Sequence, residues 1–239
     1  MAWDIWLIFF FLAVVLPWRG RARMRKLLAM PSVGTMERLV LYASTIAFQW
    51  AIVAVVGWRA WVHHYSAEEL GLTIHGETCI LLASVCGAAI LGTLHWLNLR
   101  RMGRMPVKAR ALLSELAERI LPQDSLELLP YIALALTAGV CEEFLYRGFA
   151  MAALHRAELP LWAALLLSAI LFGLAHVYQG RGGFVSTLVI GAVFGGARIA
   201  YDGLVPAIFW HATVNVVAGV AGPRYLRGAG REAEPTPQN

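Results

Sequence analysis

Charge is scarce in this chain. Only 15% of its 239 residues are Asp, Glu, Lys or Arg, where a soluble domain carries about 25%. That scarcity excludes an ordinary soluble enzyme. With 59% apolar residues and a mean hydropathy of +0.63, it points to a chain that lives in lipid. Cysteine is nearly absent. Cys79, Cys86 and Cys141 all fall in apolar segments, and an odd number with none in an exposed loop argues against a disulfide framework. There is no internal repeat and no second, soluble-looking region. No basic residue precedes the first apolar segment and a basic run follows it, the reverse of a secretory signal. The net charge of +5 is no nucleic-acid footprint. Its bases sit in short loops between apolar runs, where they set topology and meet anionic lipid.

What the chain does have is apolar runs of spanning length. Seven of them, at about 3–18, 39–58, 78–96, 129–153, 159–178, 184–201 and 204–221, predict an all-α fold. It is a polytopic membrane helix bundle of about seven transmembrane helices. The first run is short, at roughly 24 Å, and reads as an uncleaved helix. Trp18, Trp58, Trp61 and Trp96 fall at run ends, as interfacial aromatics do. In 107–121, Leu112, Leu113, Leu116 and Ile120 are set apart from Glu115 and Arg119. That pattern predicts one amphipathic surface helix. Pro122 and Pro130 bracket the turn into the fourth span. Gly191 and Gly195 give the sixth a small-xxx-small face for close packing.

The organisation read this way has three parts. Residues 1–128 are N-terminal spans and the loop helix. Residues 129–221 are a bundle carrying the chemistry. Residues 222–239 are a Pro-, Gly- and charge-rich tail, expected to be disordered and cytoplasmic. The loops after the first, third and fifth spans, with the tail, hold 16 of the 20 Lys and Arg. The positive-inside rule then puts the N-terminus outside and the C-terminus inside. For a bacterial source the location is the inner (plasma) membrane.

Three formal charges lie mid-span in Cys141-Glu142-Glu143-Phe144-Leu145-Tyr146-Arg147-Gly148. A charge at bilayer depth costs a few kcal/mol even on a lenient scale, so each is a functional candidate. Glu143 and Arg147 stand at i and i+4, a favourable ion-pair order. Glu142 is turned roughly 100° away and has no obvious partner on its own helix. His176 ends the fifth run, and His211 and Asn215 share a face of the seventh. The other strongly polar residues in the spans, chiefly Gln49, His95 and Arg198, lie near span ends or alone. Glu142, His176, His211 and Asn215 therefore come from three late helices that could meet in one polar pocket. Each also has a structural reading. His176 is then a loop or interface residue, His211 and Asn215 are interhelical hydrogen-bond glue, and Cys141 is an inert buried thiol. Straight helices would put Glu142 roughly 20 Å, His176 roughly 30 Å and His211 roughly 12 Å from the outer side. One element must tilt, bend or enter part way.

Glu142-Glu143-x-x-x-Arg147, Phe172-x-x-x-His176 and His211-x-x-x-Asn215, in that order on apolar segments, resemble the three motifs of the CPBP family. These are the CAAX-protease and bacteriocin-processing intramembrane endopeptidases. The resemblance covers roughly 129–220. It implies an enzyme that hydrolyses a peptide bond of a membrane-associated protein or peptide, prenylated or leader-bearing. Peptide hydrolysis needs an activated water, a proton donor for the amine and an oxyanion site. The resemblance implies that Glu142 and His176 activate the water. His211 and Asn215 then donate to the oxyanion, and Glu143–Arg147 supports the helix. The family is often labelled metalloprotease, which would make Glu142, His176 and His211 ligands of zinc. Asn is a poor zinc ligand and the spacing is not H-E-x-x-H, so a metal-free glutamate mechanism is favoured. Two other classes compete: a proton-coupled transporter using the same residues as a relay, and a non-catalytic immunity-type membrane protein.

Overall fold

In the computed structural model, which describes residues 2–226, the regular structure is all helical. Helix α1 spans Trp3–Ala29 and α2 Thr35–Val62. Then come α3 Glu77–Gly103, α4 Val107–Ile120, α5 Ser125–Arg156 and α6 Leu161–Ala175. Helices α7, Gly180–Ala200, and α8, Val205–Leu226, complete the bundle. Six of the eight are long and apolar enough to cross a membrane, making this a multi-pass membrane protein. The expected fifth span is shorter than a crossing. Helix α6 has 15 residues, about 22 Å, and gives way at His176 to a 3₁₀ turn over Val177–Gln179.

The first helix is longer than its apolar run, because the Arg-rich segment after Trp18 stays helical to Ala29. Pro17 lacks an N–H and its ring crowds the carbonyl of residue 13. The chain accommodates it with a wide π turn over Phe11–Val15. Helix α5 starts earlier than its apolar run. Asp124 caps it, accepting from the Leu126 and Glu127 backbone N–H groups at 2.9 and 3.0 Å. Pro130 therefore lies inside α5 rather than in the turn before it. Helix α8 likewise runs through Pro223 to Leu226. Residues 222–226 are thus helical, and the rest of the expected tail lies outside the described residues.

Helix α4 has the expected length and the Glu115–Arg119 pair at 3.3 Å. Its buried side is Ser114, Leu116 and Ala117. Leu116 packs with Met24 and Leu27 of α1, and Ala117 with Leu99 of α3 and Leu226 of α8. Arg119 donates to the Leu27 and Met30 carbonyls at 2.7 Å, satisfying acceptors that the end of α1 leaves open. Close by, a buried Arg38–Glu127 pair at 2.7 Å ties the start of α2 to the start of α5. At the opposite end of the bundle Asp4 meets Arg59 and His63. Arg156 there binds Glu69 and the His63 and His64 carbonyls. The Leu204 N–H donates to Gly71 O at 2.9 Å. The basic segments thus gather at one end of the bundle and the loop 63–76 at the other.

Helix α8 packs against both α3 and α5, α2 packs against α5, and α6 packs against α7. Large apolar side chains on the outside, such as Trp6, Leu81, Val85 and Val189, face what would be lipid. The polar centre forms where α2, α5 and α8 meet.

Candidate active site

The Glu pair lies at the end of the regular part of α5. From Phe144 to Ala150 the same helix winds as a π helix, a wider turn that recurs at functional sites. Arg147, fully buried within it, donates from Nη1 to Glu143 Oε1 at 2.9 Å and from Nη2 to the Gly191 carbonyl at 2.9 Å. Gly191 is what permits that reach. A Cβ there would stand 2.9 Å from Arg147 Nη2 and 3.1 Å from the Phe172 ring. The guanidinium carbon also lies 4.3 Å from the Phe172 ring centroid, a cation–π contact in a dry setting.

His211 joins the two carboxylates. Its Nδ1 is 2.7 Å from Glu143 Oε1, and its Nε2 is 3.8 Å from Glu142 Oε2. Glu143 is paired to Arg147 and is an acceptor, so Nδ1 carries the hydrogen and Nε2 is turned toward Glu142. The ring is fixed further by stacking on Phe194 at 5.4 Å and an edge contact with Phe172 at 5.7 Å. The approach of α8 to α5 is close because Gly139 lacks a Cβ, which would meet Ala212 and the Ile208 carbonyl at 3.1 and 3.2 Å.

Of the sequence candidates, the structure brings Glu142, Glu143, Arg147 and His211 together. His176 is adjacent rather than bonded. Its Nδ1 donates to the Phe172 carbonyl at 2.9 Å, leaving Nε2 with the lone pair. Its ring meets Phe172 at 4.8 Å. Phe172 thus touches both His176 and His211, and the separate depths of a straight-helix picture do not hold, because α6 is short and bends at His176. Asn215 lies one turn beyond His211. Its backbone carbonyl accepts from the Tyr131 hydroxyl at 3.2 Å. Among the described residues neither His176 nor Asn215 makes a hydrogen bond to Glu142.

Two things escaped sequence reasoning. One is the second bond of Glu143, to His211, which requires knowing how α8 crosses α5. The other is Gln49 of α2, whose Nε2 donates to Glu142 Oε1 at 2.8 Å. The available signal was a lone amide in an apolar span. Cys141 is buried and free.

A zinc site asks for three or four converging ligand atoms. Glu142 Oε2 and His211 Nε2 supply a pair, but His176 does not bring a third atom to it. Among the described residues, the group with three candidate ligand atoms all within 4.8 Å of one another is Glu68, His75 and Asp202. That group is exposed, lies at the 63–76 end, and has one carboxylate already held by Arg198 at 2.9 Å.

Residues 124–217 match a family model described as type II CAAX prenyl endopeptidase Rce1-like. No curated protein and no solved structure matches the chain.

Proposed function

We propose, from the premise that the segment 124–217 is an Rce1-like type II CAAX prenyl endopeptidase domain, that this chain hydrolyses a peptide bond of a membrane-associated protein by a Glu142-activated water. The observation that supports the mechanism best is His211 set between two carboxylates inside the matched segment. Glu142 Oε2 is buried with no hydrogen-bond partner among the described residues. A buried acceptor of that kind calls for a donor, and water is the donor the reaction needs.

The water oxygen attacks the scissile carbonyl carbon while Glu142 takes its proton, with His176 Nε2 as the second acceptor on the water. The carbonyl π electrons move to oxygen. His211 donates to that oxyanion from Nε2, which requires hydrogen on both ring nitrogens. Asn215 supplies the second donor from its side-chain amide. When the C–N bond breaks, Glu142 returns its proton to the leaving amine. Glu143 holds His211 in this orientation, and Arg147 holds Glu143. A zinc ion, if bound by Glu142, His176 and His211, would supply Lewis acidity instead. The two-atom convergence favours the metal-free reading. The substrate class is a membrane-associated precursor, whether a prenylated C-terminus, a bacteriocin leader or another membrane-anchored protein.

Glu142→Ala is expected to abolish cleavage while the protein still inserts and folds. Loss of a general base typically costs about 10²–10⁴ in rate, so more than about 10% residual turnover would remove Glu142 as the base. Proteomics of membrane fractions with and without Glu142→Gln should show one precursor accumulating. Proton flux into liposomes without any cleavage would support the transporter reading instead.

A further inference from the structure

Gln49 lies outside the matched segment, yet it is the side chain bonded to Glu142. It sits on α2, which packs along α5. Its Nε2 donates to Glu142 Oε1 at 2.8 Å. The two oxygens of Glu142 are therefore unlike. One is occupied by an amide N–H. The other, Oε2, is buried without a hydrogen bond among the described residues and faces His211 Nε2 at 3.8 Å.

We infer that Gln49 is a positioning residue for the hydrolysis: it holds Glu142 Oε1 as a fixed acceptor and leaves Oε2 as the oxygen that exchanges a proton with water. The inference rests on the reading of Glu142 as the base. The terminal torsion of a glutamate is broad and roughly two-fold, so an unanchored carboxylate presents either oxygen to the water and must be ordered in the transition state. A donor on one oxygen removes that freedom. An amide suits the task, because it donates without adding a charge and without a proton to lose near neutral pH. The amide's own Oε1 is buried and unbonded among the described residues, so the donor is not locked from behind. The N-terminal helices then contribute to the chemistry as well as to insertion.

The test uses the full chain in detergent or liposomes, with turnover expressed per molecule of folded, monodisperse protein. Gln49→Met keeps the side-chain length and removes the donor. A hydrogen bond to a charged group is worth enough that kcat should fall about 10- to 100-fold, with KM within about twofold. Gln49→Leu, which likewise has no donor, should lose at least as much. A packing role would survive both substitutions. Wild-type kcat in Gln49→Met, or a loss confined to KM or to the yield of folded protein, overturns the inference. Glu142→Gln separates it from its premise. If Glu142→Gln is inactive and Gln49→Met turns over normally, only the positioning role fails. If Glu142→Gln is active, the base assignment and the positioning role both fail.

Discussion

Glu143 and Glu142 are adjacent in sequence and differ in everything else. Glu143 Oε1 takes both Arg147 and His211, at 2.9 and 2.7 Å, and its side chain is fully buried. Glu142 is partly exposed, at 18% of its side chain, and holds one donor. The helical offset of about 100° per residue points one at the guanidinium and turns the other toward the Gln49 amide. Asn215 is the sharpest discriminator between the two catalytic accounts. In the metal-free account, Asn215→Asp puts a carboxylate where the oxyanion develops, and turnover should fall roughly 10²–10³, the usual loss for an oxyanion donor. In a zinc account the same change adds a better ligand, and metal should be kept. Stoichiometric zinc in active wild type, lost with activity on chelation and restored by zinc, would sink the metal-free account. Glu142 was legible in the sequence because a charge in an apolar run stands out. Gln49 was not, because its partner lies 93 positions away.

Among the elements, α7 and the 63–76 loop make the clearest predictions. Helix α7 presents Gly191 to Arg147 and Phe172, and Gly195 to Leu165, as its small-xxx-small spacing anticipates. Gly196 faces open space. Gly191→Val should therefore destabilise by about 1–3 kcal/mol, the usual cost of overpacking, and depress cleavage by moving Arg147. Gly196→Ala should leave both near wild type. Thermal unfolding in detergent and a cleavage assay check the pair. The loop 63–76 is held at one end by Arg156, which donates to Glu69 at 2.7 and 2.9 Å. That contact is the chief reason the Glu69 carboxyl titrates below its ordinary value, with the Ser66 N–H adding to it and partial burial opposing it. A carboxyl whose folded pKa is depressed stabilises above its unfolded value, about 4.3. That stabilisation is lost as pH falls through the folded value. The melting temperature of wild type should drop from pH 5 toward pH 3 by a step that Arg156→Gln lacks.

At the scale of the whole molecule, the fold sorts its charges by end. Arg23, Arg38, Arg110 and Arg119 gather with α4 at one end. Asp4, Arg59, His63, Glu69 and Arg156 gather at the other. On the positive-inside rule the α4 end is expected to be the cytoplasmic one. Reporter fusions in 97–121 should read cytoplasmic and fusions near His64 the opposite side. A cytoplasmic His64 would mean that the span order is misread. The short α6 leaves six long spans and places His176 against Phe172 within the bundle.

The class of molecule was determined by the sequence alone: composition demands lipid, apolar runs demand helices, and three spaced motifs mark roughly 129–220. Those are local or periodic properties, and an isolated stretch carries them. The tertiary structure decided which polar atoms meet. Helix α6 was read as a full crossing because its apolar residues continue through Val177, whereas in the structure the helix ends at Ala175 and the chain turns through Val177–Gln179 beside α7. The His211–Glu143 bond, the Gly191 carbonyl on Arg147 and the Gln49 amide on Glu142 each depend on the crossing of two helices distant in sequence. A crossing is set by the shapes of both faces, and neither run of residues contains that information by itself.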